Sequence, residues 1–237
     1  KDILLIQQSR LAAMGEMIGN IAHQWRQPLN ALGLVLTNIK DASDYDELTD
    51  DYLADSVVKG NRLVQAMSTT INDFRDFFSP EKERTIFSAH NQVNHVMSLI
   101  EPNLTATSIN VTINRLQDIN IDGYPNEYAQ VLLNLISNAK EAIMANNVSE
   151  GNITITIYEK GNKGYVTVVD NGGGIKHGIL EKVFDPYFST KEMGTGVGLY
   201  MSQMIIQRNM GGEIKAENAG HGAKFSVITQ LASPPDE

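Results

Sequence analysis

Val168-Val169-Asp170-Asn171-Gly172-Gly173-Gly174-Ile175 is a hydrophobic strand running into an acid and three glycines. A carboxylate at a strand end accepts a hydrogen bond from an exocyclic amine such as that of adenine, and the glycines let the backbone approach a ring or turn with positive φ. Read alone, the stretch fits a tight turn with an Asp cap better. Upstream, Asn134-Leu135-Ile136-Ser137-Asn138-Ala139 sets two asparagines four apart, so that both emerge from one helical face while Val131, Leu132, Leu135 and Ile136 face inward. Amide oxygens are hard ligands suited to Mg²⁺ or to phosphate-bound water, although such a pair alone is more often a solvated helix surface or a cap. Downstream, Gly194-Thr195-Gly196-Val197-Gly198-Leu199 leads straight into a helical run, where exposed amides and the helix dipole favour phosphate oxygens. This is neither a Walker loop, which ends in Gly-Lys-Ser/Thr, nor a dinucleotide fingerprint, which needs another spacing and a preceding strand. Between the glycine clusters lies Val183-Phe184-Asp185-Pro186-Tyr187-Phe188-Ser189-Thr190-Lys191. Its aromatics can clamp a lid and Lys191 can reach a phosphate; without context it is an aromatic-anchored loop with a surface lysine.

Farther out, period-two alternation predicts strands over Thr85 to Ser88, Ile109 to Asn114, Ile153 to Tyr158, Tyr165 to Val169, Gly212 to Ala216 and Lys224 to Gln230. Helices are predicted at about Asn91 to Ile100, Asn126 to Ala145 and Val197 to Asn209. Residues 81 to 237 therefore read as an α/β sandwich. Residues 1 to 80 have a different character. Leu11, Met14, Ile18, Ile21, Trp25, Leu29, Leu32, Leu36 and Ile39 recur at steps of three and four, the seam of one long helix. After an acidic turn from Asp41 to Asp51, a second seam runs through Leu53, Val57, Val64, Met67, Ile71, Phe74 and Phe78, ending before Pro80. A two-helix hairpin of this size leaves apolar surface on the side away from its mate, and pairing two hairpins into a four-helix bundle buries it. A homodimer is expected.

Composition narrows the function. With 237 residues, 42% hydrophobic, the chain is long enough for two ordinary domains. No run approaches the roughly 18 apolar residues of a membrane span, and no charged-then-apolar leader is present. The first residue is Lys1 rather than Met, which suggests a piece of a longer protein whose upstream part holds a sensor or membrane anchor. Zero cysteines exclude disulfides and thiolate metal sites and suit the cytoplasm. A net charge of −9 speaks against nucleic-acid binding, which draws its affinity from a basic surface.

The order of the motifs carries a resemblance that none carries singly. The asparagine helix, Asp170-x-Gly172-x-Gly174, the Phe184 to Lys191 segment, Gly194-Thr195-Gly196-Val197-Gly198-Leu199 and a closing Gly220-His221-Gly222 resemble, in sequence order, the ATP-binding domain of histidine kinases. That domain belongs to the superfamily of gyrase, chaperone and mismatch-repair ATPases, and the resemblance covers about residues 85 to 231. In the helical part, Ala22-His23-Gln24-Trp25-Arg26-Gln27-Pro28-Leu29-Asn30 resembles the phosphoacceptor box, a histidine followed five residues later by proline. His23 lies about 200° around the helix from Ile21 and Trp25, away from the seam. An exposed neutral imidazole, with a reference pKa of about 6.5, is a competent nitrogen nucleophile. His90, His95, His177 and His221 lack such a setting and read as structural or surface residues.

The resemblance implies ATP-dependent autophosphorylation on His23 and transfer of the phosphoryl group to an aspartate in a response-regulator receiver domain. It implies Asn138 as the Mg²⁺ ligand, Asn134 as its helper and Asp170 as the adenine-reading carboxylate. Gly172, Gly174, Gly194, Gly196 and Gly198 would shape the pocket and lid, with Thr195, Leu199 and Lys191 beside the nucleotide. One position departs from the pattern. Most members carry Glu or Asp after the histidine, whereas here Gln24 offers an amide, which holds a tautomer but is no general base. Gln27, four residues after His23, stands where related kinases with phosphatase activity carry Asn or Thr, so some phosphatase activity toward the regulator is expected. Two rivals follow: an ATP-sensing scaffold or phosphatase-dominant regulator, and an ATPase clamp, which would carry Glu in place of Asn134 and lack the hairpin.

Overall fold

The computed structural model describes residues 2–77, 83–190 and 197–232. The chain divides into two compact units, one of Ala12–Ser79 and one of Pro80–Glu237 together with Lys1–Leu11.

The first unit is the helical hairpin. Helix α1 spans Asp2–Asp44 and runs through Pro28, which lacks the N–H that would bond the carbonyl of Gln24. A turn over residues 45–49, with Asp46 at φ 57°, reverses the chain, and Glu47 N–H bonds Ala42 C=O at 2.8 Å. Helix α2 spans Asp50–Phe77. Thr49 Oγ1 accepts from Tyr52 N–H at 3.1 Å, and Asp50 and Asp51 meet the positive end of the dipole. The predicted seams are split. Leu32, Ile39 and Met67 are half-buried, with Ala42 and Ser56 buried beside the turn, but Ile18 (56% exposed), Leu29, Leu36 (60%), Val57, Val64 and Ile71 face outward. Leu32 lies against Gly60, where a Cβ would stand 3.4 Å from its Cδ1. The hairpin thus covers one stripe per helix and leaves a second.

In the other unit, β1 (Thr85–Ser88) leads into α3 (Ala89–Ala106), whose first turn is capped by Ser88 Oγ accepting from Asn91 N–H. Strand β2 (Ile109–Arg115) is followed by β3 (Asn120–Gly123) and α4 (Pro125–Ala145). Next come β4 (Gly151–Lys160), β5 (Lys163–Asp170), a 3₁₀ turn at Leu180–Lys182 and α5 (Gly198–Met204). A π turn over Ile205–Asn209 continues α5, and β6 (Glu213–Ala219) and β7 (Gly222–Gln230) end the unit. Five strands form a sheet in the order β2-β4-β5-β7-β6, with β2 and β4 parallel and the remaining neighbours antiparallel. β1 pairs with β3 in a small separate sheet.

Alternation decides which face is covered. Ile153, Ile155 and Ile157 of β4, Val166 and Val168 of β5, and Phe225 and Val227 of β7 are buried, as are Tyr128, Leu132, Leu135, Ile136 and Ile143 of α4. Each such aliphatic side chain contributes about 1.5–3 kcal/mol over an exposed one. The sandwich of helices on a mixed sheet is the predicted one. Two features differ from the prediction. Strand β3 reads Asn-Ile-Asp-Gly, a turn composition, and is a strand because β1 supplies its partner and Ile121 its buried face. The run from Val197 to Asn209 is not uniform α-helix, since its second half widens into the π turn.

Candidate functional site

Strand β5 ends on Asp170, which is 6% exposed. Its Oδ1 accepts from Gly172 N–H at 2.7 Å and from Ala223 N–H at 3.2 Å, while the carboxylate keeps acceptor capacity on Oδ2. Burial pushes its pKa above the usual aspartate value, and the two amide bonds work against that shift. The turn around it has no room for side chains. A Cβ on Gly222 would lie 1.8 Å from the Asp170 carbonyl oxygen, and one on Gly172 would lie 2.8 Å from the backbone nitrogen of Ile143 in α4. Gly174 adopts φ +73° and so needs no Cβ. Two asparagines that the sequence did not single out hold this turn. Asn146 Nδ2 donates to Gly172 C=O at 2.7 Å, and Asn218 bonds both Ile175 N–H (2.7 Å) and Ile175 C=O (2.8 Å).

Asn134 and Asn138 lie on α4, both half-buried. Asn138 Nδ2 donates to Asn134 Oδ1 at 3.4 Å, and Asn134 Nδ2 donates to Ser202 Oγ on α5 at 2.9 Å. Ser202 Oγ in turn donates to Gly198 C=O at 3.0 Å. Gly198 approaches so closely that a Cβ there would stand 2.5 Å from Asn134 Oδ1. The structure therefore joins the asparagine helix to the first turn of α5. Val197 is buried with Met201 and Met204, and Tyr200 packs on them, which anchors α5 below its first turn. Leu199 is half-buried.

Before α5, Phe184 meets the edge of Phe225 at 6.4 Å between ring centroids. Tyr187 is 66% exposed with φ +65°, an uncommon conformation for a bulky residue. Lys191, Gly194, Thr195 and Gly196 lie outside the described residues. In the hairpin, His23 and Gln24 belong to α1, and their side chains lie outside the described residues; Gln27 is exposed beside Pro28. The oxygen donors of Asn134 and Asn138 suit a hard divalent cation that keeps water and phosphate as its other ligands.

Comparison with known proteins agrees with this architecture. Residues 123–233 match the family described as histidine kinase-, DNA gyrase B-, and HSP90-like ATPase, which defines the unit as an ATP-binding domain of that class. The chain is 31% identical to the solved catalytic domain of histidine kinase ThkA, with a TM-score of 0.58 over 63% of this chain and 97% of that one. It is 30% identical over 98% of its length to the two-component sensor PprA of Pseudomonas aeruginosa, and 31% identical over 96% to the signal transduction histidine-protein kinase AtoS of Escherichia coli. It spans 26% and 36% of the length of those two relatives. ThkA in complex with the response regulator protein TrrA aligns with 95% of this chain at 26% identity and a TM-score of 0.54. The chain belongs to the sensor histidine kinase family.

Proposed function

We propose that the chain is a histidine kinase core that moves the γ-phosphoryl group of ATP to His23 and then to an aspartate of a separate response-regulator receiver domain. The observation that carries the reading is the interlock of Ser202 and Gly198 with Asn134 on α4, the helix that also packs against the turn following the buried, amide-held Asp170, on a fold of the ATP-binding class. Asp170 accepts the adenine amine, its position fixed by Gly172 and Ala223. Gly172, Gly174, Gly198 and Leu199, with Lys191, Gly194, Thr195 and Gly196, surround the nucleotide. Asn138, helped by Asn134, holds Mg²⁺, which when bound neutralises developing phosphate charge.

In the transfer, one imidazole nitrogen of His23 forms the bond to the γ-phosphorus while the bond to the bridging oxygen breaks and ADP leaves. The proton on the other imidazole nitrogen must then depart. Gln24 cannot take it, so it leaves to water, and Gln24 only holds the tautomer. Positioning supplies most of the acceleration. The exposed second stripe of the hairpin, with Ile18, Leu36, Val57 and Val64, supports a homodimer in a four-helix bundle. That relatives are sensors, and that ThkA is known with TrrA, supports a receiver-domain partner. Gln27, exposed one turn after His23, orients the water that dephosphorylates the regulator. No helix among the described residues is long and apolar enough to cross a membrane, and the proposed seat of the core is the cytoplasm, below any anchor elsewhere in the protein.

Gln24 also favours a second reading, an ATP-sensing or phosphatase-dominant regulator with little kinase activity. Incubation with γ-labelled ATP separates the two from each other and from an ATPase clamp. A kinase yields an acid-labile, alkali-stable phosphoprotein, the clamp yields free phosphate, and the scaffold yields neither.

A further inference from the structure

The hydroxyl of Ser202 sits at the junction between the asparagine helix and the helix that follows the glycine-rich segment. It is buried, lies 68 residues from Asn134 in sequence, and makes two bonds, donating to Gly198 C=O and accepting from Asn134 Nδ2. The first bond is the ordinary back-bond of a helical serine. The second is not. An asparagine amide turned by 180° exchanges its oxygen for its nitrogen at nearly no steric cost, and only hydrogen bonds decide which end faces which partner. By spending its one proton on Gly198 C=O, Ser202 is left as an acceptor toward Asn134, and an acceptor selects the NH₂ end. Asn134 Oδ1 is thereby turned toward Asn138 Nδ2, the other partner of that amide among the described residues, and against the backbone of Gly198.

We infer that Ser202 is a positioning residue for cation binding: it fixes the orientation of the Asn134 amide and, through it, that of Asn138, and ties both to the first turn of α5. The inference rests on the proposed role of Asn134 and Asn138 toward Mg²⁺. A hydroxyl that orients the amide hydrogen-bonded to the ligand acts on metal affinity in the way outer-layer partners do, with losses of about 10–100-fold on removal. It also joins the cation-binding helix to the C-terminal anchor of the glycine-rich segment, so that order at one favours order at the other.

The molecule contains its own control. Asn209 Nδ2 donates to Glu127 Oε2 at 2.7 Å, a second tie between the same two helical segments. Glu127 precedes Asn134 by seven residues and Asn209 follows Ser202 by seven, so the segments run antiparallel with one tie at each end. The far tie secures the π turn to the start of α4 without touching Asn134 or Asn138. Loss of either tie loosens the helix pair; only loss of the near one frees the amide.

The test measures binding of a fluorescent ATP analogue to the whole chain, once with excess chelator and once with saturating Mg²⁺, and takes the ratio of the two affinities as the Mg²⁺ gain. Ser202→Ala should cut the gain about tenfold while binding in chelator stays within about twofold of wild type. Ser202→Thr, which keeps the hydroxyl, should retain the gain, and Asn209→Ala should leave it unchanged while lowering Tm. An unchanged gain in Ser202→Ala, an equal loss in Ser202→Thr, or an equal loss in Asn209→Ala overturns the inference. If Asn134→Ala loses the gain and Ser202→Ala does not, the inference fails and the proposed function stands. If wild type shows no gain at all, the cation reading of the asparagines fails with it.

Discussion

Replacing Asp170 by Asn separates two consequences of one buried carboxylate, because it should weaken nucleotide binding without weakening the fold. The side chain keeps its shape, and its Oδ1 can still accept from Gly172 and Ala223 N–H at the present 2.7 and 3.2 Å. What is lost is a charged acceptor on the other atom, now an NH₂ group facing the adenine amine, donor against donor. A hydrogen bond to a charged group contributes about 1.5–3 kcal/mol, and the mispaired amines add to the loss, so ATP affinity should fall by about 10- to 100-fold or more. Stability should move the other way. Because burial raises the Asp170 pKa, the native state binds its proton more readily than the unfolded chain does. The ionised carboxylate therefore costs stability above the native pKa, and that cost is relieved as pH falls toward the unfolded value of 3.8. At neutral pH the Asn variant, which has no charge to bury, should melt at the same temperature as wild type or higher. Isothermal titration with ATP and thermal melts followed by circular dichroism measure both effects. Unchanged ATP affinity would refute the assignment of Asp170, and a large drop in Tm would refute the claim that its charge is a burden to the fold.

Gly222→Ala should be severe, because the new Cβ would meet the backbone oxygen of Asp170 at 1.8 Å and no flexible side chain can yield; a loss of about 3 kcal/mol or more in chemical denaturation is expected. Gln24→Glu places a base beside His23 and should raise the autophosphorylation rate about tenfold, whereas an unchanged rate would mean that the imidazole proton leaves by another route. Charges at Leu36 and Val64, both exposed on the hairpin, should convert a dimer to a monomer in sedimentation, and a wild-type monomer would remove the basis for the four-helix bundle.

Much of this architecture is legible in the chain because periodicity is a local signal. The alternation in Ile153-Thr154-Ile155-Thr156-Ile157 needs no partner to be recognised as a half-buried strand, and the spacing of Val131, Leu132, Leu135 and Ile136 needs none to be a helix face. Features made by distant pairing are not legible. Strand β3 is Asn-Ile-Asp-Gly until β1 lies beside it, and the bond from Asn134 to Ser202 joins residues whose spacing means nothing in one dimension. The same holds for Ala223, whose amide holds Asp170 from the next strand but one in sequence, and for Asn146 and Asn218, which look like ordinary turn residues. A serine four residues after Gly198 in an apolar helix was the available hint of Ser202. The hairpin seams were visible as apolar positions, but their split into an inward and an outward stripe depends on how α1 and α2 meet, which composition does not state.

The proposed transfer takes the phosphoryl group from ATP bound in one unit of the chain to His23 in the other. Its most direct test is γ-labelled ATP given to wild type and to His23→Ala, with ATP binding measured on both. Acid-labile, alkali-stable label on wild type, none on His23→Ala, and equal ATP affinity in the two proteins is the predicted result; label retained by His23→Ala would contradict it.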